Sequence, residues 1–302
     1  MRVAITGSGG LIGGTLAGEL TAAGADVVRI VRRAPAGASE LRWDPPAGEL
    51  DPAGLAGVDA VVHLAGAGIG DRRWSAERKR VILDSRTAST ALIARAVAGA
   101  GSGRPRALLV ASAVGFYGDR GAEVLTESAA PGGDFLASVC REWESAASPA
   151  AEAGVRVVHL RTGLVLARHG GLLPKMLLPF RAGLGARLGS GGQWWSWITL
   201  RDEVRAITWL LDHEVGGPVN LVAPRPVTNA EFTRALGRAV HRPAVLAVPA
   251  FAPRLALGRE MADALMFTSA RVEPRVLTAG GFEFAHPELD GALRGVLAGP
   301  GG

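Results

Sequence analysis

The stretch Thr6-Gly7-Ser8-Gly9-Gly10-Leu11-Ile12-Gly13 decides the fold of this 302-residue chain. It follows a short apolar run at Arg2–Thr6 and leads into Leu11–Ala23, where apolar residues recur at helical spacing, before a second apolar run at Ala25–Arg32. Short runs rich in branched residues predict buried strands, and helical spacing predicts a helix. The order strand, glycine turn, helix, strand is that of a βαβ unit.

The glycine positions suit a bound pyrophosphate. Gly7 would form the sharp turn out of the strand, Gly10 would let a phosphate approach the backbone, and Gly13 would let the helix pack closely on the sheet. The free amides of the first helical turn, which includes Leu11 and Ile12, attract negative charge together with the helix dipole. We therefore expect a dinucleotide here, although an ordinary tight turn would show the same glycines.

The end of the second predicted strand indicates which dinucleotide binds. A site for NAD usually carries an acidic residue there, which accepts hydrogen bonds from the ribose. This chain carries Arg32 and Arg33 instead, and Asp26 lies at the other end of the strand. Guanidinium groups bind a ribose 2′-phosphate through charge-assisted hydrogen bonds. The sequence thus predicts NADP(H) rather than NAD(H); the alternative is a pair of solvated arginines.

Later segments continue the alternation of strands and helices. Apolar runs at 60–64, 107–112 and 155–160 predict strands, and 76–100 and 135–153 predict helices. Nearly continuous apolar strands belong to a parallel sheet that is covered on both faces. We expect an α/β fold, a Rossmann-type doubly wound parallel sheet with a smaller, mainly helical C-terminal substrate lobe. The predicted domains are 1–165 with a returning strand near 217–223, and a lobe from 166–216 and 224–302.

Composition narrows the classes of function. The single cysteine, Cys140, excludes an internal disulfide and a cysteine-cluster metal site, and we predict no metal. The net charge of +5 is spread along the chain without a basic stripe, which argues against nucleic-acid binding. No stretch has the length of a membrane span and no signal peptide is visible, so we expect a cytoplasmic protein without a membrane partner.

Further motifs resemble the extended short-chain dehydrogenase/reductase superfamily, in its atypical, NAD(P)-dependent epimerase-like branch. They are the glycine turn, His63-Leu64-Ala65-Gly66-Ala67-Gly68-Ile69, Arg73-Trp74, Ser85-Arg86, Ser112-Ala113-Val114-Gly115-Phe116-Tyr117-Gly118, Arg161-Thr162-Gly163 and Trp197-Ile198-Thr199-Leu200-Arg201-Asp202. The segment 249–293 resembles the short C-terminal domain of that branch. The resemblance implies that Leu64, Ala65 and Gly66 line the adenine-ribose side of the cofactor. It also places Ser112 at the nicotinamide and Arg86 and Arg161 on the cofactor side.

The chain lacks the Tyr-x-x-x-Lys pair on which this superfamily bases its proton chemistry. Tyr117 is the only tyrosine, and neither Lys79 nor Lys175 follows a tyrosine by four residues. The lysine position falls near Cys140, which we interpret as a small buried hydrophobic residue. Ser112 and Tyr117 remain the candidate catalytic residues, with Tyr117 as a proton donor that no lysine activates.

The substrate side is less defined by sequence. Trp194, Trp195 and Trp197 could form the apolar side of a pocket or a packing joint between lobes, and Arg73 could bind an anionic substrate or be solvated. We predict an NADP(H)-binding epimerase-like or reductase-like enzyme for a small hydroxyl or carbonyl substrate, as a monomer or homodimer. The alternative is a catalytically silent NADP(H)-binding sensor or regulatory protein.

Overall fold

A computed structural model describes residues 1–299. Its strands are β1 Arg2–Thr6, β2 Asp26–Val31, β3 Glu40–Asp44, β4 Glu49–Leu50, β5 Ala60–His63, β6 Ala107–Ala113, β7 Val124–Leu125, β8 Arg156–Thr162, β9 Leu164–Leu166, β10 Ala186–Leu188, β11 Trp194–Trp195, β12 Trp197–Thr199, β13 Gly217–Leu221, β14 Val227–Thr228, β15 Leu246–Val248 and β16 Arg271–Val272.

The helices follow the same chain order. They are α1 Leu11–Ala22, α2 Ala76–Gly99, α3 Phe135–Ser145, α4 Ser148–Glu152, α5 Leu173–Arg181, α6 Leu200–Asp212, α7 Asn229–Ala239, α8 Phe251–Leu257, α9 Arg259–Ala262, α10 Arg275–Ala279 and α11 Leu289–Ala298. A π-helical turn covers Asp263–Phe267. Short 3₁₀ turns cover Pro52–Leu55, Gly101–Gly103 and Val114–Tyr117.

Eight strands form the main sheet in the order β13-β8-β6-β5-β1-β2-β3-β4. Every neighbouring pair is parallel except β3 and β4. The strand order reverses direction between β1 and β5, where Thr6 lies opposite His63. Ligands of doubly wound sheets bind at this switch point, beyond the carboxyl ends of the strands. The predicted Rossmann-type fold is confirmed.

Helices cover both faces of this sheet. On one face, α1, α6 and α10 bury an apolar cluster that includes Leu16, Ile207 and Leu277. On the other face, α2, α3 and α4 bury a second cluster that includes Ile93 and Trp143. The helix α6, which the sequence prediction assigned to the smaller lobe, therefore packs on the sheet.

A third apolar cluster forms the core of the C-terminal part. It is built by α5, α7 and α11 around Trp197 and Phe232, which are fully buried. Short two-stranded pairings, β11 with β14 and β12 with β9, join this part to the sheet. Within residues 1–299, no helix has both the length and the apolar character needed to cross a bilayer.

Candidate cofactor site and adjoining cleft

The glycine turn lies between β1 and α1, as its sequence predicts. Gly7 has a φ of +69°, a left-handed conformation that strongly favours glycine. A Cβ on Gly13 would lie 2.3 Å from the carbonyl oxygen of Gly7, so α1 is packed directly on the turn. A Cβ on Gly9 would meet no atom within 4 Å, and no side chain caps the helix at Gly10. The turn thus combines close helix packing with an open helix N-terminus that fits a phosphate.

A buried polar chain fixes the segment beside this turn. The Thr6 hydroxyl lies 2.7 Å from His63 Nδ1 and accepts hydrogen bonds from the amides of Leu64 (3.1 Å) and Ala65 (3.2 Å). Burial lowers the pKa of His63 to about 3, so its ring is neutral at physiological pH. Because the Thr6 oxygen accepts twice, its own proton goes to Nδ1, and His63 Nε2–H donates to Ser89 (3.1 Å).

Arg32 and Arg33 follow the end of β2 and have different surroundings. Arg33 forms an ion pair with Glu40 and donates to the carbonyl oxygen of Ala34. The hydrogen bond from the Arg33 guanidinium lowers the pKa of the Glu40 carboxyl. Arg32 is exposed and, among residues 1–299, has no ion-pair partner. Of the two arginines, Arg32 is therefore the one whose guanidinium is available to a ligand.

A cleft of about 280 Å³ lies beyond the carboxyl ends of β6 and β8. Four parts of the chain line it: the loop that follows β6, the helix α3, the segment after β8 and the pair Trp194–Trp195. The π-helical turn contributes Ala264 and Leu265. Most of the lining side chains are aliphatic or aromatic, so the cleft is an apolar compartment next to the predicted nicotinamide position.

Arg86, on α2, brings one positive charge to this cleft. Its guanidinium donates to the carbonyl oxygen of Ile82 (3.0 Å) and lies 4.9 Å from the ring centroid of Trp143. A Cβ on Gly66 would lie 3.5 Å from the Arg86 guanidinium carbon. Burial lowers the pKa of Arg86, and within residues 1–299 no carboxylate pairs with it. Arg86 thus lies between the predicted adenine-ribose segment and the cleft.

Comparison with known proteins identifies the family. Residues 3–222 match the NAD dependent epimerase/dehydratase family, and residues 248–296 match a domain of unknown function, DUF1731. The chain belongs to the NAD dependent epimerase/dehydratase family. The resemblance inferred from the sequence motifs is confirmed. An epimerase family protein of Mycobacterium bovis is 49% identical over 300 residues, which cover 99% of this chain and 98% of that protein.

Solved structures of family members agree with this assignment. The human epimerase family protein SDR39U1, crystallised with NADPH, has a TM-score of 0.90 and 34% identity, with 99% of each chain covered. A nucleoside-diphosphate sugar epimerase from Corynebacterium glutamicum has a TM-score of 0.79 and 36% identity, covering 97% of this chain and 57% of that one.

In this member of the family, Ser112 and Arg161 belong to one internal polar network. The Ser112 hydroxyl donates to Glu144 Oε1 (2.7 Å), and Arg161 forms two hydrogen bonds of 2.9 Å with the same carboxylate. Neither side chain lines the cleft. Glu144, which the sequence analysis did not single out, therefore engages two of the predicted site residues.

Tyr117 completes this network and cannot act as the predicted proton donor to a ligand in the cleft. Its side chain is fully buried, and its hydroxyl donates to Asn220 Oδ1 (2.6 Å) and accepts from Arg161 (3.1 Å). Burial also raises its pKa above the ordinary value of a tyrosine. The sequence motif placed Tyr117 after the correct strand, but the 3₁₀ turn at Val114–Tyr117 directs its ring into the core.

The face of α3 toward the cleft carries no acid or base that titrates near neutral pH. Leu136 and Cys140, four residues apart, both line the cleft. Burial raises the pKa of the Cys140 thiol to about 12, which supports the interpretation of Cys140 as a buried hydrophobic residue. The position near Cys140, at which the sequence comparison placed the lysine of the superfamily, thus carries a thiol that does not ionise near neutral pH.

The three tryptophans separate into two groups. Trp194 and Trp195 line the cleft, as predicted for a substrate pocket. Trp197 does not: it is fully buried in the C-terminal core, and its indole N–H donates to the carbonyl oxygen of Arg225 (3.1 Å). The prediction that Trp197 contacts substrate is therefore corrected, because no part of its ring is accessible.

Arg73 also differs from its predicted role at the substrate. Its guanidinium donates to the carbonyl oxygens of Leu255 and Ala256 in α8. Nearby, Lys79 forms an ion pair with Glu260 (2.8 Å). Arg73 and Lys79 thus join the loop after β5 and the start of α2 to the C-terminal part, and Arg73 is not a lining residue of the cleft.

Glu203 is a buried acid that sequence analysis missed. It lies in the first turn of α6, is 1% exposed and accepts a hydrogen bond from Thr162 Oγ1 (2.8 Å). Burial raises the pKa of this carboxyl to about 8. Since Thr162 lines the cleft, Glu203 fixes a side chain of the site from behind. The only sign of this role in the sequence is that Glu203 occupies a position on the apolar face of α6, a helix that begins directly after a strand.

Proposed function

We propose that this protein is an NADP(H)-binding epimerase-like or reductase-like enzyme that acts on a small hydroxyl or carbonyl compound. The observation that carries the proposal is the open N-terminus of α1 above the glycine turn, together with the unpaired Arg32 beyond β2. The NADPH in the crystal structure of human SDR39U1 supports the choice of cofactor.

Several residues have distinct roles in this proposal. The amides near Gly9 and Gly10 bind the pyrophosphate, and Arg32 binds the 2′-phosphate. Thr6 holds Leu64 and Ala65 beside the nucleotide. Bound NADPH would supply a hydride to the carbonyl group of the substrate. The cleft next to the cofactor would hold the substrate and exclude water from it.

Titration with NADPH and NADH tests the cofactor preference. We expect NADPH to bind at least roughly tenfold more tightly, because one charge-assisted contact to the 2′-phosphate is worth about 1.5–3 kcal/mol. Arg32→Ala should remove most of this preference, while Arg29→Ala, at an exposed position within β2, should preserve it. Equal affinities for the two cofactors in the unmodified protein would contradict the proposal.

A silent NADP(H)-binding sensor is the second candidate function. It is favoured by the network in which Ser112, Tyr117 and Glu144 are all engaged with other protein groups. A sensor should bind NADPH, become more resistant to proteolysis on binding and oxidise no NADPH in the presence of carbonyl compounds. Steady NADPH consumption with any carbonyl substrate would exclude this candidate.

A further inference from the structure

The size and lining of the cleft restrict the ligand that it can accept. Its volume of about 280 Å³ lies below the range of roughly 300–1,000 Å³ that is typical of pockets for drug-sized molecules. The two indoles of Trp194 and Trp195, with Leu136 and Leu265, offer flat and aliphatic surfaces. A compact ring fits such a compartment better than an extended polar molecule.

The charge of the cleft also restricts the ligand. Among the residues of 1–299 that line it, Arg86 is the one ionised side chain. A nucleoside diphosphate carries at least two negative charges and needs several donors around its phosphates. One guanidinium in an apolar compartment instead matches a single oxygen on which negative charge develops.

Proton transfer provides the third restriction. A general acid works best when its pKa is near the working pH. The Cys140 thiol has a pKa of about 12, the Tyr117 hydroxyl is bonded within the core, and Leu136 has no proton to give. Glu203, with a pKa of about 8, is buried behind Thr162, whose hydroxyl donates to that carboxyl and not into the cleft. A ligand reduced in this cleft must therefore leave a product anion that is stable without an enzymatic acid.

We propose that the cleft binds a compact quinone and that Arg86 stabilises the phenolate oxygen formed on its reduction. This inference rests on the proposed function and names its substrate class. The C–H bond of NADPH breaks as its hydride forms an O–H bond at one quinone oxygen, and the electrons displaced through the ring leave the other oxygen as a phenolate beside Arg86. This phenolate then takes a proton from water, which leaves hydroxide. The two ring carbonyls become hydroxyls, and the other product is NADP⁺. A phenol has an unperturbed pKa near 10, so its anion needs far less help from an acid than an alkoxide does.

Binding is tested with the NADP⁺-loaded protein, which cannot turn over the quinone. Calorimetric titration with 1,4-naphthoquinone should show saturable binding at one site, and titration with UDP-glucose should show none. Ala264→Trp should abolish naphthoquinone binding by filling the cleft while leaving NADPH binding intact. Ala151→Trp, at an exposed position of α4 outside the cleft, is the matched control and should bind both.

The role of Arg86 is tested by separating binding from turnover. Arg86→Gln should lower kcat for naphthoquinone at least tenfold, measured by NADPH absorbance, with the naphthoquinone Kd changed less than twofold. The charge matters to the product anion and not to the neutral quinone. Arg95→Gln, exposed on the same helix, should behave as the unmodified protein.

Three results would overturn the inference. Binding of UDP-glucose with no binding of naphthoquinone would do so and would leave an epimerase function in place. Loss of NADPH affinity in Arg86→Gln, with unchanged naphthoquinone kcat at saturating NADPH, would assign Arg86 to the cofactor. Failure of the unmodified protein to bind NADPH would remove the proposed function and this inference together.

Discussion

Replacement of Gly13 by alanine tests how tightly α1 is packed on the glycine turn. A Cβ at this position would lie 2.3 Å from the Gly7 oxygen and 2.8 Å from the Gly7 carbonyl carbon. These are backbone atoms, which no rotamer change can move away. Forced overpacking of this kind costs about 1–3 kcal/mol, while alanine regains up to about 1 kcal/mol of helix propensity. We expect a net loss of about 1 kcal/mol or more.

Gly18→Ala is the matched control in the same helix. Gly18 is exposed, and a Cβ there would meet no atom within 4 Å. Only the propensity gain remains, so this variant should be more stable by about 0.5–1 kcal/mol. At about 2 °C per kcal/mol for a protein of this size, the two variants should differ in Tm by roughly 4 °C.

Thermal unfolding and NADPH titration together decide the outcome. Gly13→Ala should melt below the unmodified protein and bind NADPH more weakly, because α1 and its amides move relative to the turn. Gly18→Ala should melt above it with unchanged NADPH affinity. Equal Tm values for the two variants, with NADPH binding retained in both, would refute the argument from packing.

Three further predictions address Glu203, Trp197 and the N-cap of α3. The raised pKa of Glu203 means that the folded state keeps a proton that the unfolded chain loses above its ordinary value of 4.5, so stability should fall between pH 4.5 and about 8. Glu203→Gln should remove this loss, worth up to a few kcal/mol, in urea unfolding at several pH values. Trp197→Ala should cost about 3–5 kcal/mol in the same assay, and Trp194→Ala much less, since only Trp197 is fully buried. Asp134→Ala should cost about 1 kcal/mol by removing the N-cap of α3, with no change in the Tm shift caused by NADPH.

Most elements of the sheet could be predicted from the sequence, because buried parallel strands are short apolar runs with clear ends. The predicted strands at 60–64, 107–112 and 155–160 each lie within two residues of the observed β5, β6 and β8. The single predicted helix at 135–153 is in fact α3 and α4. Pro149 lies in the first turn of α4, where its missing N–H costs nothing, and so permits the break.

The candidate site was predictable only where a residue's role depends on the backbone. The turn at Gly7 follows from conformational freedom that a sequence pattern reveals. The role of Tyr117 depends on which way a 3₁₀ turn directs a side chain, and the role of Trp197 depends on a break between two short strands at Ser196. The Ser196 hydroxyl donates to the carbonyl oxygen of Ala270 and accepts from the amide of Val272, both more than 70 positions away in the chain. Spacing along a sequence contains no information about such distant partners.

The contacts that join α2 and its preceding loop to the C-terminal part have a consequence for ligand exchange. Lys79 and Glu260 are paired at the surface, and Arg73 holds α8 through exposed backbone carbonyls. Mobile ions screen exposed charges, whereas the apolar lining of the cleft is little affected by them. The dissociation rate of a bound molecule should therefore increase with ionic strength, even for an uncharged molecule. Salt weakens the contacts that hold α2 and its preceding loop against the C-terminal part, but it does not weaken the apolar contacts between the cleft and the molecule.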